Sequence, residues 1–91
     1  MNKEEYQYTN ITSATTTQVF TGKGKIHSIV VNTTAAGTIK IIDNTSGTTA
    51  NVGTLKASVV EGTYLYDISV SLGCRIVTAA ASDITVTWSQ G

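Results

Sequence analysis

Short stretches of alternating apolar and polar residues run through most of the chain, separated by Gly, Asn and Asp at a spacing of roughly 8 to 12 residues. Because successive side chains of a strand point to opposite faces, this alternation is typical of β-strands. No stretch has a convincing helical period. Seven or eight short strands in 91 residues predict an all-β domain, an antiparallel two-sheet sandwich of jelly-roll or immunoglobulin-like topology. The spacing does not decide between these two strand orders.

The stretch 25–31 predicts the central strand. Strict alternation places Ile26 and Val30 on one face and Ile29 and Val31 on the other. Since both faces are apolar, we expect the first face to pack in the core and the second to be covered by a neighbouring layer or subunit.

The first 16 residues predict an N-terminal arm, with a single β-sandwich domain over residues 17–91. The segment is polar and rich in Thr, and it has no apolar periodicity. Tyr6 and Tyr8 lie in this segment, which cannot form a core of its own, so both are predicted to anchor the chain to another protein. The segment also lacks the apolar region of a signal peptide, and no run is long enough to span a membrane. We therefore expect synthesis in a cytoplasm, no signal peptide and no membrane partner.

Composition narrows the class of partner. Charged residues make up 13% of the chain, the formal net charge is zero, and only six residues are Lys or Arg. Nucleic-acid binding requires clustered basic residues, so no nucleic-acid partner is expected. The chain has no proline and a single cysteine, so no internal disulfide can stabilise it. Association with neighbouring chains is a common alternative for a domain of this size.

The residues that could carry chemistry are few and scattered. His27 is the only histidine and Cys74 the only cysteine, so neither has the partners that a metal site or a nucleophile requires. Asp43 and Asp83 flank predicted turns, and their spacing does not match a calcium loop. Asp67 lies inside a strand, where it is expected to pair with a cation or to lie at an interface. The sequence therefore predicts a protein that is not an enzyme and binds no metal or cofactor.

A sugar-binding platform is the alternative reading of the aromatic residues. Tyr64, Tyr66 and Trp88 could stack on a glycan if they were exposed. They share strand faces with Ile and Val residues, however, and are expected to pack in the core.

Four segments in this order resemble small virion proteins of tailed bacteriophages and prophages. They are GKGKIHSIVVN (22–32), GTIKIIDN (37–44), GTLKASVVEGTYLYDISVSLGCRIVTA (53–79) and SDITVTW (82–88). The similarity covers about residues 20–89 and leaves out the predicted arm.

This resemblance implies a non-enzymatic structural protein of the virion, a capsid decoration or cement subunit. It implies a homo-oligomer, with a trimer favoured, that binds the major capsid protein or another virion protein. A tail-associated or fibre-associated module that binds a carbohydrate or a receptor is the alternative. The residue pattern itself supplies the candidate interface residues, which are Tyr6, Tyr8, Ile29, Val31 and Ile42. Ile42 is included because alternation with Ile39 and Ile41 places it on the strand face opposite the core.

Overall fold

The computed structural model describes residues 6–90, which form eight β-strands and no helix. The strands are β1 (Gln7–Ile11), β2 (Thr16–Thr21), β3 (Gly24–Thr33), β4 (Ile39–Ile42), β5 (Asn51–Leu55), β6 (Gly62–Val70), β7 (Gly73–Thr78) and β8 (Asp83–Ser89). The predicted all-β class is confirmed.

The strands form two antiparallel sheets of four, in the orders β1-β8-β3-β6 and β2-β7-β4-β5. The pairs β1–β8, β2–β7, β3–β6 and β4–β5 are nested in the chain. This is the order obtained when a long antiparallel hairpin folds over on itself, and it is the jelly-roll order. The immunoglobulin-like alternative is excluded, because its sheets combine the strands differently.

The core lies between the sheets and consists mostly of Ile and Val. Ile29 and Val31 of β3 stand opposite Val86 and Ile84 of β8, and all four are buried. The buried core residues are Ile11, Phe20, Ile26, Ile29, Val31, Ile39, Ile41, Leu55, Val59, Val70, Cys74, Ile76, Ile84 and Val86.

The prediction that Ile29 and Val31 lie on the face opposite the core is wrong. Both are in the interior, 0% and 2% exposed. The cause is a β-bulge at His27, where the registers of β3 with both neighbouring strands shift between Ile26 and Ser28. An extra residue changes the phase of the alternation, so the residues beyond it exchange faces.

Ile42 is also buried, although it lies on the outer face of its sheet. It stands opposite Arg75 of β7 and is fully buried, but it is not part of the core cluster. The Arg75 guanidinium donates hydrogen bonds to the carbonyl oxygens of Gly47 (3.1 Å) and Thr45 (3.4 Å). We infer that the 43–50 loop folds back over this face and covers Ile42. The prediction that Ile42 lies on the face opposite the core is therefore right, but the prediction that it is exposed to a partner is wrong.

The predicted arm does not extend to residue 16. Gln7–Ile11 forms β1, which pairs with β8 at an edge of the first sheet, and β2 begins at Thr16. The first five residues of the predicted arm lie outside the described residues.

Candidate interaction face

One row of side chains crosses the outer face of the β1-β8-β3-β6 sheet. The register aligns Tyr8 with Thr87, Thr87 with Ser28, and Ser28 with Leu65. Cross-strand partners point to the same face, so the row continues from one edge of the sheet to the other. Its ends are apolar and exposed, with Tyr8 at 74% and Leu65 at 68%. The middle of the row is less exposed than its ends, and Ser28 is buried. There the Ser28 and Thr87 hydroxyls form a hydrogen bond of 2.6 Å with each other.

The next row continues this uncharged surface. Asn10 aligns with Thr85, Thr85 with Val30, and Val30 with Thr63. We call the two rows together the outer face; its residues are Tyr8, Thr87, Ser28, Leu65, Asn10, Thr85, Val30 and Thr63. None of these residues carries a charge. A protein partner could therefore cover the outer face without stripping water from a charged group.

A cluster around His27 borders the outer face. The His27 Nδ1 atom lies 2.6 Å from the Asp67 carboxylate, and Lys25 Nζ lies 3.9 Å from the same oxygen. The Tyr6 ring stacks on the imidazole with centroids 4.0 Å apart. Asp67 has a φ of 49°, in the left-handed region that Asp tolerates better than most residues. The expected pairing of Asp67 with a cation is confirmed, and the His27 imidazole is hydrogen-bonded to the same carboxylate.

These contacts hold the start of β1 against the sheet. Tyr6 immediately precedes β1, and its stack on His27 fixes the direction from which the chain enters that strand. The bulge turns His27 outward, and Asp67 then orients its ring. The cluster therefore positions the edge strand that carries Tyr8.

Cys74 is fully buried in the core. Burial, together with the nearby negative charge of Asp43, raises the pKa of the Cys74 thiol to about 12. Since the thiolate is the nucleophilic form, this cysteine is unreactive at neutral pH. Within residues 6–90, no group of three or more His, Cys, Asp or Glu side chains could hold a metal ion.

Asp43 connects two turns. Its carboxylate accepts hydrogen bonds from the backbone N–H groups of Leu72 (2.8 Å), Ser71 (3.1 Å) and Gly73 (3.3 Å). Burial by itself raises the pKa of Asp43, but these three donors outweigh it and hold the pKa below its usual value. Asp43 therefore fixes the turn between β6 and β7, and its role is structural.

An open cleft of about 590 Å³ lies beside the turn between β2 and β3. Its lining includes Lys23, Lys25, Ser69, Ser71 and Ser89. The Lys25 ammonium also faces Asp67, so part of the positive charge of the cleft is compensated.

The structure separates the five predicted interface residues into two groups. Tyr6 and Tyr8 are exposed at the edge of the first sheet, whereas Ile29, Val31 and Ile42 are buried. Alternation along the sequence of β6 puts Leu65 on the strand face of Asp67 and Ser69, opposite Tyr64 and Tyr66. A single leucine on an otherwise polar strand face is the sequence signal that could have identified Leu65 as an exposed interface residue.

The expectation that Tyr64, Tyr66 and Trp88 pack in the core is confirmed. All three are partly buried and pack against the core cluster. The Tyr66 ring lies so close to Gly53 of the other sheet that a Cβ there would be 2.9 Å from it. These aromatic residues therefore do not form an exposed platform.

Comparison of the chain with protein-family models, with curated proteins and with solved structures finds no match. The part of the chain that the structure describes contains no helix long and apolar enough to cross a membrane.

Proposed function

We propose that this protein is a non-enzymatic structural subunit of a bacteriophage virion, a capsid decoration or cement protein that binds through its outer face. The observation that carries the proposal is the row from Tyr8 to Leu65, which presents two large exposed apolar side chains on an uncharged sheet surface. A subunit of a stable assembly can bury such a surface permanently. Its partners are the shell protein and further copies of this chain.

The fold and the sequence resemblance support the same class of function. Jelly rolls are frequent in viral capsid proteins, although they also occur in lectins and cupins. The fold alone is therefore an argument by analogy. The sequence adds the resemblance to small phage virion proteins over about residues 20–89.

The chemical groups of the chain also favour a structural role. His27 is hydrogen-bonded to Asp67 and stacked on Tyr6. Cys74 is buried, and the Asp43 carboxylate accepts a hydrogen bond from the backbone of the turn between β6 and β7. The carbohydrate-binding alternative required an exposed Tyr64, Tyr66 or Trp88, and these residues pack against the core. We therefore prefer the capsid subunit to the tail or fibre module.

Purified particles test this proposal. Particles released by cells that carry the gene are banded on a density gradient, and each fraction is quantified by mass spectrometry. We expect the chain to co-migrate with the major capsid protein in many copies per particle. Labelling with a gold-conjugated antibody should then mark the heads.

A chain found only in the soluble fractions would contradict the proposal. Labelling confined to tails or fibres would replace it with the alternative. The same gradient run on cells in which the gene is deleted is the control for antibody specificity.

A further inference from the structure

We infer that two copies of this chain associate through their β1 strands, edge to edge, and so join two four-stranded sheets into one sheet of eight. The inference deepens the homo-oligomer part of the proposed function and rests on it, but it does not depend on binding to a particle.

The inference starts from the four edge strands of the sandwich, which are β1, β2, β5 and β6. An edge strand presents unpaired N–H and C=O groups and can pair with another chain. Natural proteins prevent this pairing with bulges, charged residues or proline on the edge. The chain has no proline, so only bulges, charges and coverage remain.

Three of the four edges are irregular. The register of β2 shifts between Gln18 and Phe20. The pairing of β5 with β4 omits Val52. Along β6 the register is broken near Asp67, which combines a charge with a left-handed backbone. Each irregularity interrupts the ladder that a new strand would need.

The β1 edge is regular. Its five residues pair with five consecutive residues of β8, and no shift interrupts the register. The strand QYTNI contains no charged residue. Among residues 6–90, β8 is the only strand that pairs with it. This edge is therefore the one best suited to accept a further strand.

A second copy is the partner that this edge fits. Two identical antiparallel strands can pair about a twofold axis, which gives an isologous contact and closes the assembly at two copies. The formal net charge of zero provides little long-range repulsion between copies. Tyr8, 74% exposed, belongs to β1 and therefore lies in the contact strand of each copy. The two outer faces then become continuous, with a Leu65 toward each far end.

Sedimentation equilibrium of the full chain over a concentration series tests the contact. We expect a species of twice the monomer mass of 9.6 kDa. Hydrogen exchange should show that protection within Gln7–Ile11 increases with protein concentration, whereas protection of the β5 edge does not change. Tyr8→Lys should raise the dimer dissociation constant at least about tenfold, because a lysine then lies at the paired edge.

Val60→Lys is the matched control, because Val60 is similarly exposed at 73% but lies between β5 and β6, outside both β1 and the outer face. It should leave the dimer intact, and circular dichroism checks that both variants fold. A monomer at every concentration, a trimer, or a dimer without added β1 protection would overturn the inference. A dimer that never associates with particles would support the inference and contradict the virion proposal, so the two failures are distinguishable.

Discussion

The bulge at His27 decides which residues of β3 form the core, and a pair of adjacent alanine substitutions tests it. Ile29 is fully buried and stands opposite Val86 and Tyr64 on the two neighbouring strands. Ile29→Ala removes three carbon atoms from a packed interior. The lost transfer free energy is about 2.4 kcal/mol, and the cavity left behind raises the total to about 3–4 kcal/mol.

Val30→Ala is the control one residue along the same strand. Val30 is half-buried on the outer face, so its substitution should cost about 0.5–1 kcal/mol. A 91-residue domain has a free energy of unfolding of about 5–14 kcal/mol. The Ile29 variant should therefore lose a large part of its stability, with Tm falling by about 12 °C or more.

Urea unfolding followed by the fluorescence of Trp88, the single tryptophan, measures both variants. Trp88 packs against Phe20 with ring centroids 5.0 Å apart, so its emission should report loss of the core. The reasoning is refuted if Val30→Ala destabilises the protein more than Ile29→Ala does. That result is the one expected if β3 kept an unbroken alternation.

Three further predictions concern residues outside the outer face. The pKa of the Asp43 carboxyl group is lower in the folded chain than in the unfolded chain. The stability that this carboxylate contributes is therefore fully present above the unfolded pKa of about 3.9, and it is lost as the pH falls through the lower folded pKa. Asp43→Asn should therefore cost about 1 kcal/mol at pH 7 and flatten the acid limb of a stability–pH curve; an unchanged limb contradicts this. Cys74, with its pKa of about 12, should react with iodoacetamide more than about 100-fold more slowly in the folded protein than in urea, and equal rates would show an accessible thiolate. Gly24→Ala places a Cβ 2.5 Å from the Phe20 ring and should cost about 1–3 kcal/mol in urea unfolding, whereas a neutral result would mean that the ring moves freely.

Fold class follows from local patterns in this chain. Strand β6 shows why, since Tyr64, Tyr66 and Ile68 alternate with exposed residues as the sequence predicts. Turn-forming residues separate the strands and limit their lengths. These signals depend only on neighbours in the chain, so they can be read without a structure.

The phase of β3 depends on contacts that the sequence does not show. No Gly or Pro marks the bulge at His27, and the shift exists only in relation to β6 and β8. One extra residue was enough to exchange the faces of Ile29 and Val31. Candidate interface residues taken from strict alternation are therefore sensitive to a single bulge.

Contacts between distant parts of the chain explain the two other differences between the sequence predictions and the structure, which are the burial of Ile42 and the formation of β1. Ile42 is on the predicted face, but Arg75 and the loop over it are placed by pairing between β4 and β7. Strand β1 has weak local signals and forms because β8, from the other end of the chain, supplies its partner. In both cases the deciding contact joins distant parts of the chain, and local pattern cannot reveal it.

The most direct test of the central claim compares two charged substitutions in particle binding. Leu65 and Val60 are similarly exposed, at 68% and 73%, but only Leu65 belongs to the outer face; Val60 lies between β5 and β6. Copies per particle are counted by mass spectrometry after cells that lack the gene are supplied with each variant. We predict that Leu65→Lys lowers the copy number at least about tenfold, because a charge must be desolvated at the contact, while Val60→Lys leaves it unchanged. Equal copy numbers for the two variants would contradict a role for the outer face in binding.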